Sequence, residues 1–317
     1  MGQLVDGNWR TGQSFANPPS GEFVRETSRF GDWITANGSS DFAAEPGRYH
    51  LYVARACPWC HRTLIYRVLK KLEAIVSVSY VEPLMLEEGW IFSEPDRLTG
   101  VRRIHELYRL ADPHFTGRAT VPVLWDKQSR RIVSNESSDI IRMLNSEFDS
   151  CTPERRDFYP PALRAEIDEI NARVYETVNN GVYRSGFATS QAAYESTAKA
   201  LFASLDWLEA RLAKRRYLLG NALTEADWRL FPTLVRFDAV YYGHFKCNMR
   251  HVYEYPALWG YTRELYQIDG IAATVAVDDY KSHYYGSHRG INPAGIVPIG
   301  PVLDFTTPHQ RALMQAS

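Results

Sequence analysis

Residues 48–54, RYHLYVA, read as a short, mostly apolar strand that runs directly into Cys57-Pro58-Trp59-Cys60-His61. Beyond the cysteines, Leu64, Ile65, Val68, Leu69 and Leu72 recur at helical spacing, with Arg67, Lys70 and Lys71 opposite. A strand that hands a Cys-Pro pair to the start of a helix leaves few architectures open. Cys57 falls at the cap, and Pro58 takes the first helical position, where a missing N–H costs nothing. The backbone N–H groups and the positive helix end then stabilise a thiolate. Arg55 and Arg62 are placed to add positive potential. Cys60, one turn further in, points more into the helix than out of it.

The same five residues fit two other templates, covalent haem attachment (C-x-x-C-H) and half of a zinc site. Haem attachment normally follows export, and the N-terminus MGQLVDGNWRTG has no cationic run leading into an apolar segment. A structural zinc needs four ligands, and Cys151 and Cys247 are single and distant. The expectation is a redox thiol, with no metal and no haem.

Downstream, VSVSYVEP alternates as a second strand. An excursion over 84–119 precedes a third strand in TVPVLWD and a fourth in RRIVS, and a helix starts near Glu136 and ends near Asn145. The order β-α-β-insert-β-β-α mixes parallel and antiparallel pairing. Pro122 sits where a central strand tolerates none. A cis Val121-Pro122 bond at the strand's start explains it and leaves the Val121 backbone to pair with an extended peptide. SNESSD opens the next helix with Ser134 or Asn135 as cap and Glu136, Ser137 and Ser138 in the first turn. Such a helix start suits a carboxylate, while Glu136 suits an ammonium group.

Before this unit, residues 1 to about 45 carry turn clusters (Asn17 to Gly21, Ala36 to Ser40) without a sustained period, as expected of an extended arm. After CTPERRDFYPP the pattern is helical throughout. Leu163, Ile167, Ile170, Val174 and Val178 share one face, and Ala198, Leu201, Phe202, Leu205, Leu208 and Leu212 another. In NALTEADWRLF, Thr224 is an N-cap with Asp227 three residues on. The stretch YKSHYYGSHRGINPAGIVPIGP holds four Gly and three Pro in 22 residues and is expected to be irregular. The chain thus divides into an arm (1–45), a small α/β domain (46–148), a helical domain (149–283) and a tail (284–317) that covers the site.

Composition narrows the partners. Thirty-six basic against 37 acidic residues give a net charge of -1, so nothing points to nucleic acid or anionic lipid. No apolar stretch approaches the ~20 residues of a membrane helix, and four cysteines are no disulfide framework. A reducing cytoplasm is the expected location. Nineteen Tyr and eight Trp suit either amphipathic packing or a stacking surface for an aromatic ligand.

A strand-Cys-Pro helix start, a V-P strand and an E-S helix start ahead of an all-helical domain resemble the glutathione transferase fold. Its first domain is thioredoxin-like. The segments CPWCHRTLI, TVPVLWD, SNESSDIIRML, NNGVYRSGFA and HYYGSHRGINPAGIVPIGP together resemble the xi class, the glutathionyl-hydroquinone reductases. The resemblance runs from VDGNW to the Gly/Pro tail. It implies glutathione as co-substrate and aromatic glutathionyl-hydroquinones as substrates, with Cys57 as nucleophile. It places glutathione at Trp90, Arg118, Val121, Glu136 and Ser137, and the hydroquinone at Tyr183, Tyr284 and Tyr285. Tyr183 and Tyr284 would assist catalysis through their hydroxyls. It also implies a homodimer. Cys60 departs from the family, where that position is most often Ala, and leaves open an internal resolving role. Two readings stay beside this one. The first is an omega-like thiol transferase or dehydroascorbate reductase, and the second is a non-catalytic docking module.

Overall fold

The structure, a computed structural model, describes residues 2–12 and 18–314. The described chain groups into two compact units. The first gathers 2–12, 26–156 and 278–287, and the second gathers 18–25, 157–277 and 288–314.

The first unit begins with a hairpin rather than a featureless arm. Strands β1 (Gly2–Val5) and β2 (Asn8–Thr11) pair antiparallel around Asp6 and Gly7, whose φ values are 47° and 69°. Two successive left-handed residues are what a two-residue hairpin turn requires, and Asp-Gly supplies them at low cost. A side chain at Gly7 would also collide with the Pro113 carbonyl, 1.9 Å from an added Cβ. Short parallel strands β3 (Ile34–Thr35) and β4 (Phe42–Ala43) follow. Asn17 of the expected turn cluster lies outside the described residues.

β5 (Tyr49–Val53) is buried at every position and leads to α1 (Pro58–Leu69) and then β6 (Ser77–Tyr80). The 84–119 excursion contains a helix the sequence pattern did not suggest, α2 (Ile104–Ala111), whose start is held by Glu106 accepting from the Arg102 and Arg103 N–H groups. β7 (Val123–Asp126), β8 (Arg131–Ser134) and α3 (Ser137–Ser146) complete the expected β-α-β-insert-β-β-α order. The sheet order is β6-β5-β7-β8, with β5 parallel to β6 and antiparallel to β7, and β7 antiparallel to β8. Both central strands are buried throughout, so they read as nearly continuous apolar runs rather than alternating ones.

Two further expectations are corrected here. Lys70 is not on a solvated face but fully buried, because its Nζ donates to Asp149 Oδ1 at 2.9 Å and to the Arg156 carbonyl at 2.8 Å. The N-terminal segment also adds to the sheet. Asp32 N–H donates to the Val133 carbonyl, and Gly31 bridges Ser134 along β8.

The second unit is helical. It comprises α4 (Arg164–Val174), which continues into a π-helical turn at Tyr175–Asn179, then α5 (Gly181–Gly186) and α6 (Gln191–Leu212). α7 (Glu225–Arg236), α8 (Tyr242–His244) and α9 (Pro256–Tyr266) follow. Thr224 caps α7 as expected. The buried Asp227 carboxylate accepts from Thr224 N–H at 2.8 Å, Leu218 N–H at 2.9 Å and the Tyr261 hydroxyl at 2.8 Å. The last helix, α10 (Val277–Ser287), corrects the irregular-stretch expectation. Only Gly286 of the Gly/Pro set lies inside it, and from Asp278 to Ser287 it belongs to the first unit.

Candidate active site

Cys57 takes its place from the join of β5 and α1. Its φ and ψ of -75° and 124° are extended, Pro58 begins the helix, and Cys57 N–H donates to the Ala54 carbonyl at 3.1 Å. The thiol is 8% exposed and donates to the Val121 carbonyl at 3.6 Å. Val121-Pro122 is cis, as expected, and β7 starts at the next residue. The Val121 backbone makes no other hydrogen bond among the described residues. A thiol at a helix N-terminus therefore lies beside a segment of backbone at the entry of a strand.

Cys60 is 0% exposed, and its sulfur accepts from Ala54 N–H at 3.4 Å. It is turned into the strand–helix join, as its place in the motif suggested. His61 is buried, with its ring centroid 6.4 Å from that of Tyr280. No disulfide joins any of the four cysteines among the described residues, and burial pushes the Cys247 thiol well up.

The two arginines of the motif differ in surroundings. The Arg55 guanidinium lies over the Tyr80 ring at 4.5 Å. Arg62 is buried, covers the Trp59 ring at 4.6 Å, and donates from Nη1 to Ser137 Oγ at 3.4 Å. It thus carries positive charge to the start of α3.

That start differs from the expected one in its cap. Glu136 itself is the N-cap, with Oε1 accepting from Ser138 N–H at 3.0 Å and from the Ser138 hydroxyl at 3.0 Å. Ser134 Oγ accepts from Glu136 N–H at 3.1 Å and so holds the residue before the helix. Asn135 instead donates its side-chain amide to the Tyr108 hydroxyl at 3.0 Å, which ties α2 to the end of β8. The other Glu136 oxygen accepts from Ser28 Oγ at 3.1 Å, and Arg118 pairs with Glu26 at 3.7 Å. Ser28 and Glu26 escaped the sequence reading because nothing local marks a residue that meets its partner about a hundred positions away.

Trp90 is buried in the insert, with its carbonyl accepting from Ile104 N–H and its ring stacked on His283 of α10 at 4.7 Å and 22°. Tyr284 is 1% exposed and stands edge-on to His283 at 5.0 Å, while Tyr285 is half-buried. The first unit thus contains every expected residue except Tyr183. It joins Cys57 to Val121, Glu136 to Ser137, and Trp90 to Tyr284 through His283. Tyr183 belongs to the second unit. There its ring lies against Phe187, Tyr241 and Phe245, with the Arg25 guanidinium 4.7 Å from its centroid.

Residues 56–147 match the glutathione S-transferase N-terminal domain family, and residues 191–264 match its C-terminal domain family. Glutathionyl-hydroquinone reductase YqjG of Escherichia coli K12 is 51% identical over 98% of both chains. Glutathionyl-hydroquinone reductase PcpF of Sphingobium chlorophenolicum is 52% identical over 95% of this chain and 96% of that one. Glutathione S-transferase omega-like 2 of Schizosaccharomyces pombe is 45% identical over 89% and 94%. Among solved structures, glutathione-bound YqjG superimposes with a TM-score of 0.91 at 50% identity, covering 98% of this chain and 99% of that one. The Xi class transferase of Natrialba magadii does so with 0.93 at 46%, covering 99% and 97%. The chain belongs to the glutathione S-transferase family, and its relatives of known structure include Xi-class members.

Proposed function

We propose that this protein is a glutathione-dependent reductase of glutathionyl-hydroquinones. The observation that carries the reading is Cys57 at the N-cap of α1, 3.6 Å from the backbone of Val121 at the entry to β7. Glutathione is a short extended peptide, and its main chain would pair with Val121 as an added strand. Its γ-glutamyl carboxylate would meet the N-terminus of α3 at Ser137, with Arg62 behind it, and its ammonium would meet Glu136. Arg118 and Trp90 complete the glutathione site in this reading, which draws on the family resemblance.

The reaction consumes one conjugate and one glutathione and yields the hydroquinone and glutathione disulfide. An aryl carbanion is a poor leaving group. The conjugate therefore reacts as its keto tautomer, in which the ring carbon bonded to sulfur also carries a proton. The Cys57 thiolate attacks that sulfur, an S–S bond forms, and the C–S bond breaks. Its electron pair returns to the ring as the hydroquinone oxyanion, which takes up a proton. A second glutathione thiolate then attacks the glutathione sulfur of the mixed disulfide and frees Cys57. Tyr284 and Tyr183 hydroxyls assist the tautomer shift, and Tyr285 lines the hydroquinone pocket. No step calls on a metal or haem.

Turnover of glutathionyl-menadiol by the wild type, with weak activity on a simple mixed disulfide and none for Cys57→Ser, is the expected result. Strong activity on the simple disulfide alone would favour the omega-like thiol transferase reading. That reading has its own support in the omega-like name of the Schizosaccharomyces pombe relative. Absence of glutathione binding would return the docking-module reading. No helix among the described residues is long and apolar enough to cross a membrane. A cytoplasmic homodimer is part of the proposal, and light scattering tests the dimer.

A further inference from the structure

We propose that His283 is a positioning residue that clamps the 83–90 segment onto α10 and so sets Trp90 and Tyr284 relative to each other. Its imidazole sits between them, stacked on Trp90 at 4.7 Å and edge-on to Tyr284 at 5.0 Å. Its Nδ1 lies 2.9 Å from the Pro83 carbonyl. A carbonyl can only accept, so Nδ1 carries a proton, and the ring cannot turn about χ2 without losing this bond. Ser287, one helical turn on, continues the clamp. Its Oγ accepts from Met85 N–H at 2.9 Å and lies 3.3 Å from the same Nδ1.

The contact is close at Gly286, where an added Cβ would lie 2.6 Å from the Leu84 side chain. His283, Gly286 and Ser287 thus meet Pro83, Leu84 and Met85 in succession, and Trp90 closes the contact. The segment is held by three interactions of different kinds: a hydrogen bond to the ring, a hydroxyl bridge and an aromatic stack. In the proposed reaction Trp90 faces glutathione and Tyr284 faces the hydroquinone, so one imidazole aligns the two halves of the substrate. This functional consequence rests on the reading given under Proposed function, while the clamp itself does not.

Two sets of measurements keep those apart. Without substrate, His283→Ala is expected to raise amide hydrogen exchange across residues 83–90 at least about tenfold, as expected on losing a hydrogen bond of ordinary strength. Unchanged protection would overturn the clamp whether or not the protein turns over any conjugate. With substrate, His283→Ala is expected to lower kcat/KM for glutathionyl-menadiol about tenfold and to raise KM for glutathione several-fold. Alkylation of Cys57 by iodoacetamide should stay within about twofold. His283→Asn, whose amide can donate to the Pro83 carbonyl, is expected to recover part of the loss. Kinetic parameters within twofold of wild type in His283→Ala, or alkylation falling in step with turnover, would overturn the positioning role. Ser287→Ala, which keeps the imidazole and removes the hydroxyl bridge, is the milder variant if His283→Ala does not fold. It should show a smaller loss in the same parameters and a local rise in exchange, and the absence of both would also overturn the proposal.

Discussion

Replacing Cys60 with alanine separates a one-thiol cycle from a two-thiol cycle. The sulfur is fully buried and accepts from Ala54 N–H at 3.4 Å, so the substitution acts on packing and on one backbone donor. Removing a buried group of this size forfeits about 0.8 kcal/mol of transfer energy and leaves a small cavity worth a similar amount. The deprived N–H adds about 1 kcal/mol, because a buried donor without a partner bears its desolvation cost. Together these give about 2–3 kcal/mol of destabilisation, read as a fall of several degrees in melting temperature. Turnover of glutathionyl-menadiol at a temperature where the variant is fully folded should stay within about twofold of wild type. In the proposed cycle the reacting sulfur is that of Cys57, which faces the Val121 carbonyl, whereas Cys60 is turned away into the β5–α1 join. A tenfold or larger fall in turnover by folded Cys60→Ala, with mixed disulfide accumulating on Cys57, would refute this reasoning and make Cys60 a resolving thiol.

Glu136→Gln keeps an oxygen to cap α3 but loses the charge for the ammonium group, so KM for glutathione should rise about 10- to 100-fold while the melting temperature changes little. A Glu136→Gln enzyme with unchanged glutathione KM would remove the carboxylate from the site. Tyr284→Phe and Tyr183→Phe should each lower kcat at least about tenfold by removing a proton donor, and steady-state kinetics showing neither affected would end the tyrosine assistance. Asp126 is one of the carboxylates that contribute to acid sensitivity. Burial raises its carboxyl, but the Arg48 hydrogen bonds, Ser129 and the Gln128 N–H outweigh that and hold it below the usual carboxylate range. Its folded value is the lower one. Its contribution is therefore complete above the ordinary value of about 3.9 and fades as pH falls through the folded value. Asp126→Asn should lose about 2 kcal/mol at pH 7, because Arg48 gives up its two bonds to this carboxylate and keeps only the Glu45 carboxylate, at 3.2 Å, as an ion-pair partner, and its deficit in urea unfolding should narrow toward pH 3.

Much of the first unit was legible because its signals are local. Cys57 with Pro58 gives the start of α1, Pro122 after Val121 gives the cis bond, and the order of apolar runs gives the β-α-β-insert-β-β-α succession, while the spatial order β6-β5-β7-β8 is set by pairing that no single run encodes. The Asp6-Gly7 turn was equally local and passed unread, although Asp-Gly between short strands is a strong hairpin signal. The irregular reading of the last stretch overweighted Gly and Pro counts, since the first glycine inside it packs in α10 and the prolines begin only at Pro293. The cap of α3 was misplaced by one or two residues because Ser134 and Asn135 are the usual capping types, whereas tertiary contacts commit Asn135 to Tyr108 and the cap falls to Glu136. Lys70, Ser28, Glu26 and His283 lay out of reach for one common reason. Each meets its partner far along the chain, where neither spacing nor propensity carries information.

The reaction scheme depends most on where glutathione is held after the conjugate's C–S bond breaks. Intact mass of the enzyme, taken after one equivalent of glutathionyl-menadiol and before any free glutathione, tests this directly. The account predicts a single glutathione adduct that maps to Cys57 and disappears when glutathione is added. A Cys57–Cys60 disulfide with no retained glutathione, or an adduct on Cys151 or Cys247, would contradict it.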